Sequence, residues 1–325
     1  MKSSLLGVLM FALFFASCKE KAADSAAAEE ANPYAIELEE SEDPFFKLSL
    51  AQWSLHKMVL EDGQDPLGFA AEAKALGFDA IEYVSALYKG KLDEMGYDSL
   101  VAAMLSEQQK HGVKCMLIMV DGEGDLADPD EAVRDEAVEN HKKWIDAAAA
   151  LGGHSIRVNT FGSNEAEVWQ PSVQDGLSKL AAYGATKNIN VLIENHGWLS
   201  SDAPEVMKAI AEIGMDNVGT LPDFGNWCVK RADGENWGEC LEEYPDYYQG
   251  IELMMPAAKA VSAKSYNFDE EGNETKLDYV RMLQIVKDAG YTGYIGIEYE
   301  GDELSEKEGI NATRNLLLKA AKSLN

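Results

Sequence analysis

Basic side chains are scarce in this chain. Its 325 residues include 28 Lys and Arg against 57 Asp and Glu, a formal charge of −29 at pH 7. A surface so acidic repels nucleic acid and anionic lipid, and it disfavours highly anionic ligands because no cluster of Lys or Arg is present to capture them. Metal-type cysteine spacing is missing too. The four cysteines form no CxxC pair and no Cys/His pattern, so nothing points to structural zinc. The Gly-rich phosphate turn of a dinucleotide-binding open sheet is also absent, since the segment after the first strand reads AQWSLHKMV. No stretch after Pro44 has the composition of a linker.

The N-terminal apolar run, Leu5 to Phe15, is too short to span a bilayer. It follows Lys2 and precedes Ala16-Ser17-Cys18, the layout of a targeting segment. Small residues directly before a cysteine resemble the bacterial lipoprotein signal, which implies removal of residues 1–17 and a lipid on Cys18. A plain secretory signal peptide is the alternative, and both readings export the chain. With the lipid, it would be anchored through Cys18 to a bacterial membrane, at the periplasmic or cell surface, and would touch the membrane in no other way. Residues 18–43 hold almost no large apolar side chain and read as a flexible acidic tether. Residues 44–325 have the length of one (β/α)8 domain. Cys115, in the apolar run 114–120, reads as a buried small hydrophobe. Cys228 and Cys240 share one Gly- and Trp-rich loop, where a disulfide and two free thiols are both open.

Eight short apolar runs, near 47–53, 79–84, 113–120, 154–160, 190–195, 217–222, 259–265 and 293–299, each precede a stretch of helical periodicity. That alternation predicts parallel strands joined by crossover helices, and eight such units close a TIM barrel of the α/β class. The helices carry apolar stripes such as Phe69, Ala73 and Leu76, or Leu177, Leu180, Ala181 and Gly184. Glycines in ALGFD, KHGVK, EIGMD and DAGYT mark helix ends before the next strand.

In such a barrel, polar residues at the carboxyl ends of the strands face one cavity. The fifth strand ends Ile193-Glu194-Asn195-His196, the sixth runs into Pro222-Asp223, and the eighth ends Ile297-Glu298. An acid directly after an apolar strand is costly unless a cation or hydrogen-bond donor meets it. A single such acid could be a solvated strand end. Three converging on one mouth point to a shared cation.

The segments VLIENHG, LPDFGNW, VSAKSYNFD and YIGIEYEG resemble the last four strand ends of the xylose-isomerase-like family, which includes tagatose and psicose 3-epimerases and inosose dehydratases. The resemblance implies a divalent metal held by Glu, Asp, His and Glu, and it places Glu194, Asp223 and Glu298 on three of the four ligands. The fourth position is Ser262, because Ser262-Ala263-Lys264 stands where the family has His-x-Lys. Serine is a poor neutral ligand and Lys264 repels a cation. His196 could supply a nitrogen instead or hydrogen-bond the substrate, or water could fill the position and leave an oxygen-rich site that suits Mn²⁺ or Mg²⁺ better than Zn²⁺.

The chemistry so implied is a metal-dependent isomerase or epimerase acting on a small sugar through an enediolate, with Glu194 and Glu298 as acid and base. Glu300 is the substitute for Glu298. Arg157, Asn159, His56, Glu82 and Lys264 complete a polar ring for substrate, with Arg157 alternatively pairing an acid such as Glu82 or Glu194. The long loop 224–250 brings Trp227, Trp237, Tyr244, Tyr247 and Tyr248, and Trp198 joins this wall. A homo-oligomer interface is the other use for these aromatics. The loops NFDEEGNE and EGDELSEKEG, where barrels usually bind phosphate, are acidic, which favours an unphosphorylated sugar. A dehydratase or hydrolase on the same site, and a non-catalytic carbohydrate-binding lipoprotein that lost its metal, are the alternatives.

Overall fold

The computed structural model describes residues 43–324. The expected signal segment 1–17, the expected lipidation site Cys18 and all of the expected tether but its last residue lie outside the described residues. Ten strands are present among the described residues: β1 (Lys47–Ala51), β2 (Ala80–Val84), β3 (Lys114–Val120), β4 (Ser155–Val158), β5 (Asn190–Glu194), β6 (Val218–Leu221), β7 (Cys228–Arg231), β8 (Cys240–Glu243), β9 (Val261–Ser265) and β10 (Tyr294–Tyr299). Each of the eight predicted strands is found within about two residues of its expected ends.

Eight strands pair in parallel in the order β6-β5-β4-β3-β2-β1-β10-β9. The two ends of this sheet meet through the parallel bridges Thr220–Ala258 and Asp223–Ser262. Backbone bonds from Ser262 N to Pro222 O (2.9 Å) and from Phe224 N to Ser262 O (3.0 Å) complete the contact. The fold is a (β/α)8 TIM barrel, in which β9 and β10 are the seventh and eighth barrel strands.

The strands read as near-continuous apolar runs because both their faces are covered. Ile81, Ile118, Ile156, Leu192 and Ile297 are fully buried, each contributing roughly 1.5–3 kcal/mol relative to exposure. The outer layer includes the helices Glu131–Leu151, Ala166–Lys187, Ala203–Ile213 and Glu306–Ser323. Their expected stripe residues Leu177, Leu180 and Ala181 are buried. The glycines at the helix ends, Gly77, Gly112, Gly214 and Gly290, all adopt positive φ between 62° and 86°, which a side chain would resist. Cys115 is buried as expected.

The connection after β6 contains an element not anticipated from the sequence. β7 and β8 form an antiparallel hairpin closed by a Cys228–Cys240 disulfide. Its base is anchored by Trp227, whose ring takes the place a side chain on Gly250 would occupy, the nearest ring atom being 2.3 Å from the Cβ site. Trp227 Nε1 donates to Phe224 O at 3.1 Å.

Candidate active site

Carboxylate oxygens of Glu194, Asp223 and Glu298 lie within 4.8 Å of one another at the barrel mouth. The strand ends place them there: Glu194 terminates β5, Asp223 follows β6 across the Asp223–Ser262 bridge, and Glu298 lies in β10 with its register partner Lys264 on β9. All three acids are at least 97 % buried, so their charges must be met inside the protein.

Fixed donors meet part of that charge. Asp223 Oδ1 accepts from the backbone N–H groups of Gly225 and Asn226, both at 2.8 Å. Ser262 Oγ donates to Glu298 Oε2 (3.1 Å), and Lys264 Nζ donates to Glu298 Oε1 (2.9 Å) and Glu300 Oε1 (3.1 Å). Asn226 Nδ2 donates to Glu194 Oε1 at 3.3 Å. Arg157 Nε lies 2.7 Å from Glu194 Oε2, an ion pair whose N–H is not aligned for a hydrogen bond.

Two oxygens of the trio remain without a hydrogen-bond donor, Asp223 Oδ2 and Glu194 Oε2. Burial pushes the Asp223 carboxyl up to about 7, with Lys264 opposing and Glu298 reinforcing the shift. Burial also raises Glu194 well above the usual carboxylate range, opposed by Arg157 and reinforced by Asp223 and Glu298. Two cationic side chains therefore do not satisfy three clustered acids. A divalent cation fits the deficit, and the donor set is oxygen alone: Glu194, Asp223, Glu298 and the Ser262 hydroxyl. His196 does not join the acid cluster and so does not replace the missing imidazole.

His196 is instead held by a relay. Arg157 Nη1 and Asn159 Nδ2 both donate to Asp121 Oδ1 at 2.7 Å. Burial works against ionisation of Asp121, but Arg157, His196 and Asn159 together hold the carboxyl below its usual range. Asn159 must then turn Oδ1 toward His196, whose Nδ1 lies 2.7 Å away and must carry the proton. Nε2 keeps its lone pair. Burial, with Arg157 adding to it, drives the imidazole well below its usual range, which favours the neutral ring.

The cavity above the acids has a volume of about 610 Å³, and its wall includes Trp53, Asp121, Arg157, His196, Tyr266 and Glu298. Arg157 and Lys264 meet the acids, so the pairing alternative for Arg157 is realised with Glu194. Four expected substrate contacts lie elsewhere. His56 stands behind the wall, stacked on Trp53 at 4.7 Å with its Nδ1 on Trp53 O. Glu82 lies under the floor, where Ser49 Oγ donates to it at 2.6 Å. Its carboxyl fills the space left by Gly296, both oxygens being 2.7 Å from the Cβ site there. Trp227 is a core anchor, 2 % exposed. Trp198 donates through Nε1 to Glu235 O at 3.0 Å and does not line the cavity.

Besides Trp53, the wall carries the indole of Trp237, which meets His196 at 4.8 Å and Phe161 at 5.3 Å, both edge to face. Asp121 is a further wall residue whose signal is present in the sequence, because it directly follows the apolar strand LIMV much as Glu194 and Glu298 follow apolar runs. Arg231 and Asn226 carry no such signal.

The chain belongs to the xylose isomerase-like TIM barrel family, whose model matches residues 70–320. The solved structures similar to it include IolI with a bound zinc atom (14% identity, 86% of this chain and 99% of that one, TM-score 0.63). D-psicose 3-epimerase from Clostridium cellulolyticum with D-tagatose is similar as well (12% identity, 85% and 99%, TM-score 0.64). So is the 3-keto-D-glucoside 4-epimerase YcjR from E. coli (17% identity, 77% and 93%, TM-score 0.57). At these identities the likeness is one of fold. Among curated proteins, the chain is 36% identical over 64 residues to the C-glycoside deglycosidase alpha subunit of Arthrobacter globiformis (19% of this chain, 18% of that one). It is 44% identical over 48 residues to the 3'-dehydrocarminate deglycosidase alpha subunit of a Microbacterium species (15% and 14%). The chain spans under a fifth of the length of the curated relatives it matches.

Proposed function

We propose that this chain is a metal-dependent isomerase or epimerase acting on an unphosphorylated sugar or keto sugar. The observation that carries the reading is the buried trio Glu194, Asp223 and Glu298, with oxygens within 4.8 Å and two of them lacking a donor. Glu194, Asp223, Glu298 and Ser262 would hold the ion. When bound, it supplies the positive charge that lowers the cost of an enediolate formed by loss of a proton beside a carbonyl.

The protein's own groups account for the rest. Glu194 and Glu298 stand three barrel strands apart, so one can take a proton from one side of a sugar carbon while the other returns it to the opposite side. Lys264 and Ser262 fix the orientation of Glu298, and Arg157 and Asn226 fix that of Glu194. The His196 Nε2 lone pair, presented by Asn159, accepts a hydrogen bond from a sugar hydroxyl. The family resemblance and the sugar epimerases among the fold neighbours support carbohydrate as the substrate.

Ser262 in place of histidine favours one rival, a carbohydrate-binding protein without metal. Dehydration or hydrolysis on the same acids differs only in the step after proton removal. Turnover of a panel of free keto sugars and sugar phosphates, with added Mn²⁺ and in chelator, tests the reading. Stoichiometric divalent ion with Mn²⁺-dependent turnover of a free sugar supports it. Chelator-insensitive behaviour, or far faster turnover of phosphates, overturns it. In this reading the enzyme works outside the cytoplasm on a lipid anchor at Cys18, which radiolabelled fatty acid incorporation and its loss in Cys18→Ser would test.

A further inference from the structure

The cavity is larger than one reacting sugar requires. At about 610 Å³ it falls among pockets that enclose drug-sized ligands. Its wall has two parts of different origin. The barrel strands contribute Arg157 and Glu298, with Asp121 and His196 just beyond β3 and β5, while the disulfide-closed hairpin contributes Arg231 and Trp237.

The hairpin residues have unmet binding capacity. Trp237 is 52 % exposed although it touches His196 and Phe161 edge to face and lies 6.0 Å from the Arg231 guanidinium, so part of its aromatic face remains open to a ligand ring. Arg231 donates through Nη1 to Gly238 O, while its Nε is buried with no hydrogen-bond partner. The guanidinium lies 6.0 Å from the Trp237 ring centroid, and among the described residues no carboxylate pairs with it. In a chain with 57 acids, an arginine on a cavity wall without an acid partner has donors left for a ligand.

The hairpin is also held rigid. Its strands are joined by the Cys228–Cys240 disulfide. Trp198 Nε1 donates to Glu235 O, and Ser201 Oγ donates to Asn226 O at 2.7 Å, which ties it to the segment after β5. Trp198 adopts a φ of 54° in making this contact, a backbone state that a bulky residue holds only when its surroundings enforce it. Such fixing lowers the ordering cost of binding.

We propose that the hairpin builds a second subsite, in which Trp237 stacks on, and Arg231 donates to, a second ring of the substrate, so that the ligand is a glycoside rather than a free monosaccharide. One ring then lies against the acid cluster and the other against the hairpin. The inference rests on the reading that a sugar occupies the acid cluster, and it adds what the sugar is attached to.

Affinities of the purified chain for maltose, cellobiose, lactose and 4-nitrophenyl β-glucoside, each against its own monosaccharide, test the proposal by calorimetry and tryptophan fluorescence. At least one two-ring probe should bind about tenfold more tightly than its monosaccharide. Trp237→Ala and Arg231→Met should each weaken that probe several-fold more than they weaken the monosaccharide. The proposal is overturned if no two-ring probe has an advantage, if the variants weaken both ligands equally, or if Trp237→Ala changes the oligomeric state instead. Because binding is read without turnover, a chain that prefers the glycoside but needs no metal and converts nothing defeats the catalytic reading and leaves the subsite standing.

Discussion

Asn159 Oδ1 faces His196 Nδ1 at 2.7 Å, and the Asp121 carboxylate on the other side of the amide leaves it no other orientation. An acceptor-only group thus sets the tautomer of an imidazole two hydrogen bonds away. Replacing Asn159 by Leu removes the link while preserving volume. We expect kcat/KM to fall about tenfold, the order of one oriented hydrogen bond, with divalent metal content unchanged. Equal activity in the variant, or loss of metal with it, would show that His196 needs no such alignment.

Glu82 imposes a pH dependence on stability. Burial, eased by Ser49 and reinforced by Glu298, raises its carboxyl from 4.5 to about 7. Folded protein therefore holds a proton that unfolded chain releases, so stability falls as pH rises from below 4.5 through about 7. The full contribution is about 3 kcal/mol. Denaturant titrations at about pH 5 and about pH 8 should show Glu82→Gln losing roughly that much less across the interval than the parent chain.

Asp223→Asn and Glu194→Gln should each abolish stoichiometric Mn²⁺ binding, read by metal analysis after dialysis. Each removes an oxygen charge that has no donor of its own. Retention of the ion in both variants would exclude the trio as its holder.

Ser262→His should raise zinc affinity at least tenfold, since an imidazole nitrogen would join three carboxylates at a position 3.1 Å from Glu298 Oε2. The gain should vanish in a Ser262→His/Asp223→Asn double variant. An unchanged zinc titration would mean that Lys264 governs the site more strongly than the fourth ligand.

Cys228→Ser with Cys240→Ser should leave the thermal midpoint nearly unchanged, because the hairpin adds little to the barrel core, yet open residues 232–239 to protease. A large drop in midpoint would show that the hairpin supports the whole fold.

The strands were legible because parallel strands covered on both faces leave little but apolar side chains, and acids at their ends stand out sharply. Glu194, Asp223 and Glu298 were found in this way. The aromatic wall was not. Trp227 and Trp237 share one loop and one composition, and only Gly250, distant in sequence, decides that Trp227 packs into the core. Glu82 lies in the middle of β2, and Ser49 and Gly296 take its carboxyl beneath the cavity floor. Such sorting depends on what the neighbouring strand offers, which no local pattern records.

The barrel is sewn shut between β6 and β9 by two isolated bridges, one of them between Asp223 and Ser262. Asp223 stands on one side of that seam and Glu298, through β9, on the other. An ion gripped by both would act as a clasp on the ring's weakest joint, so loading it should slow amide exchange at Phe224 and Ser262 before it changes anything farther around the barrel.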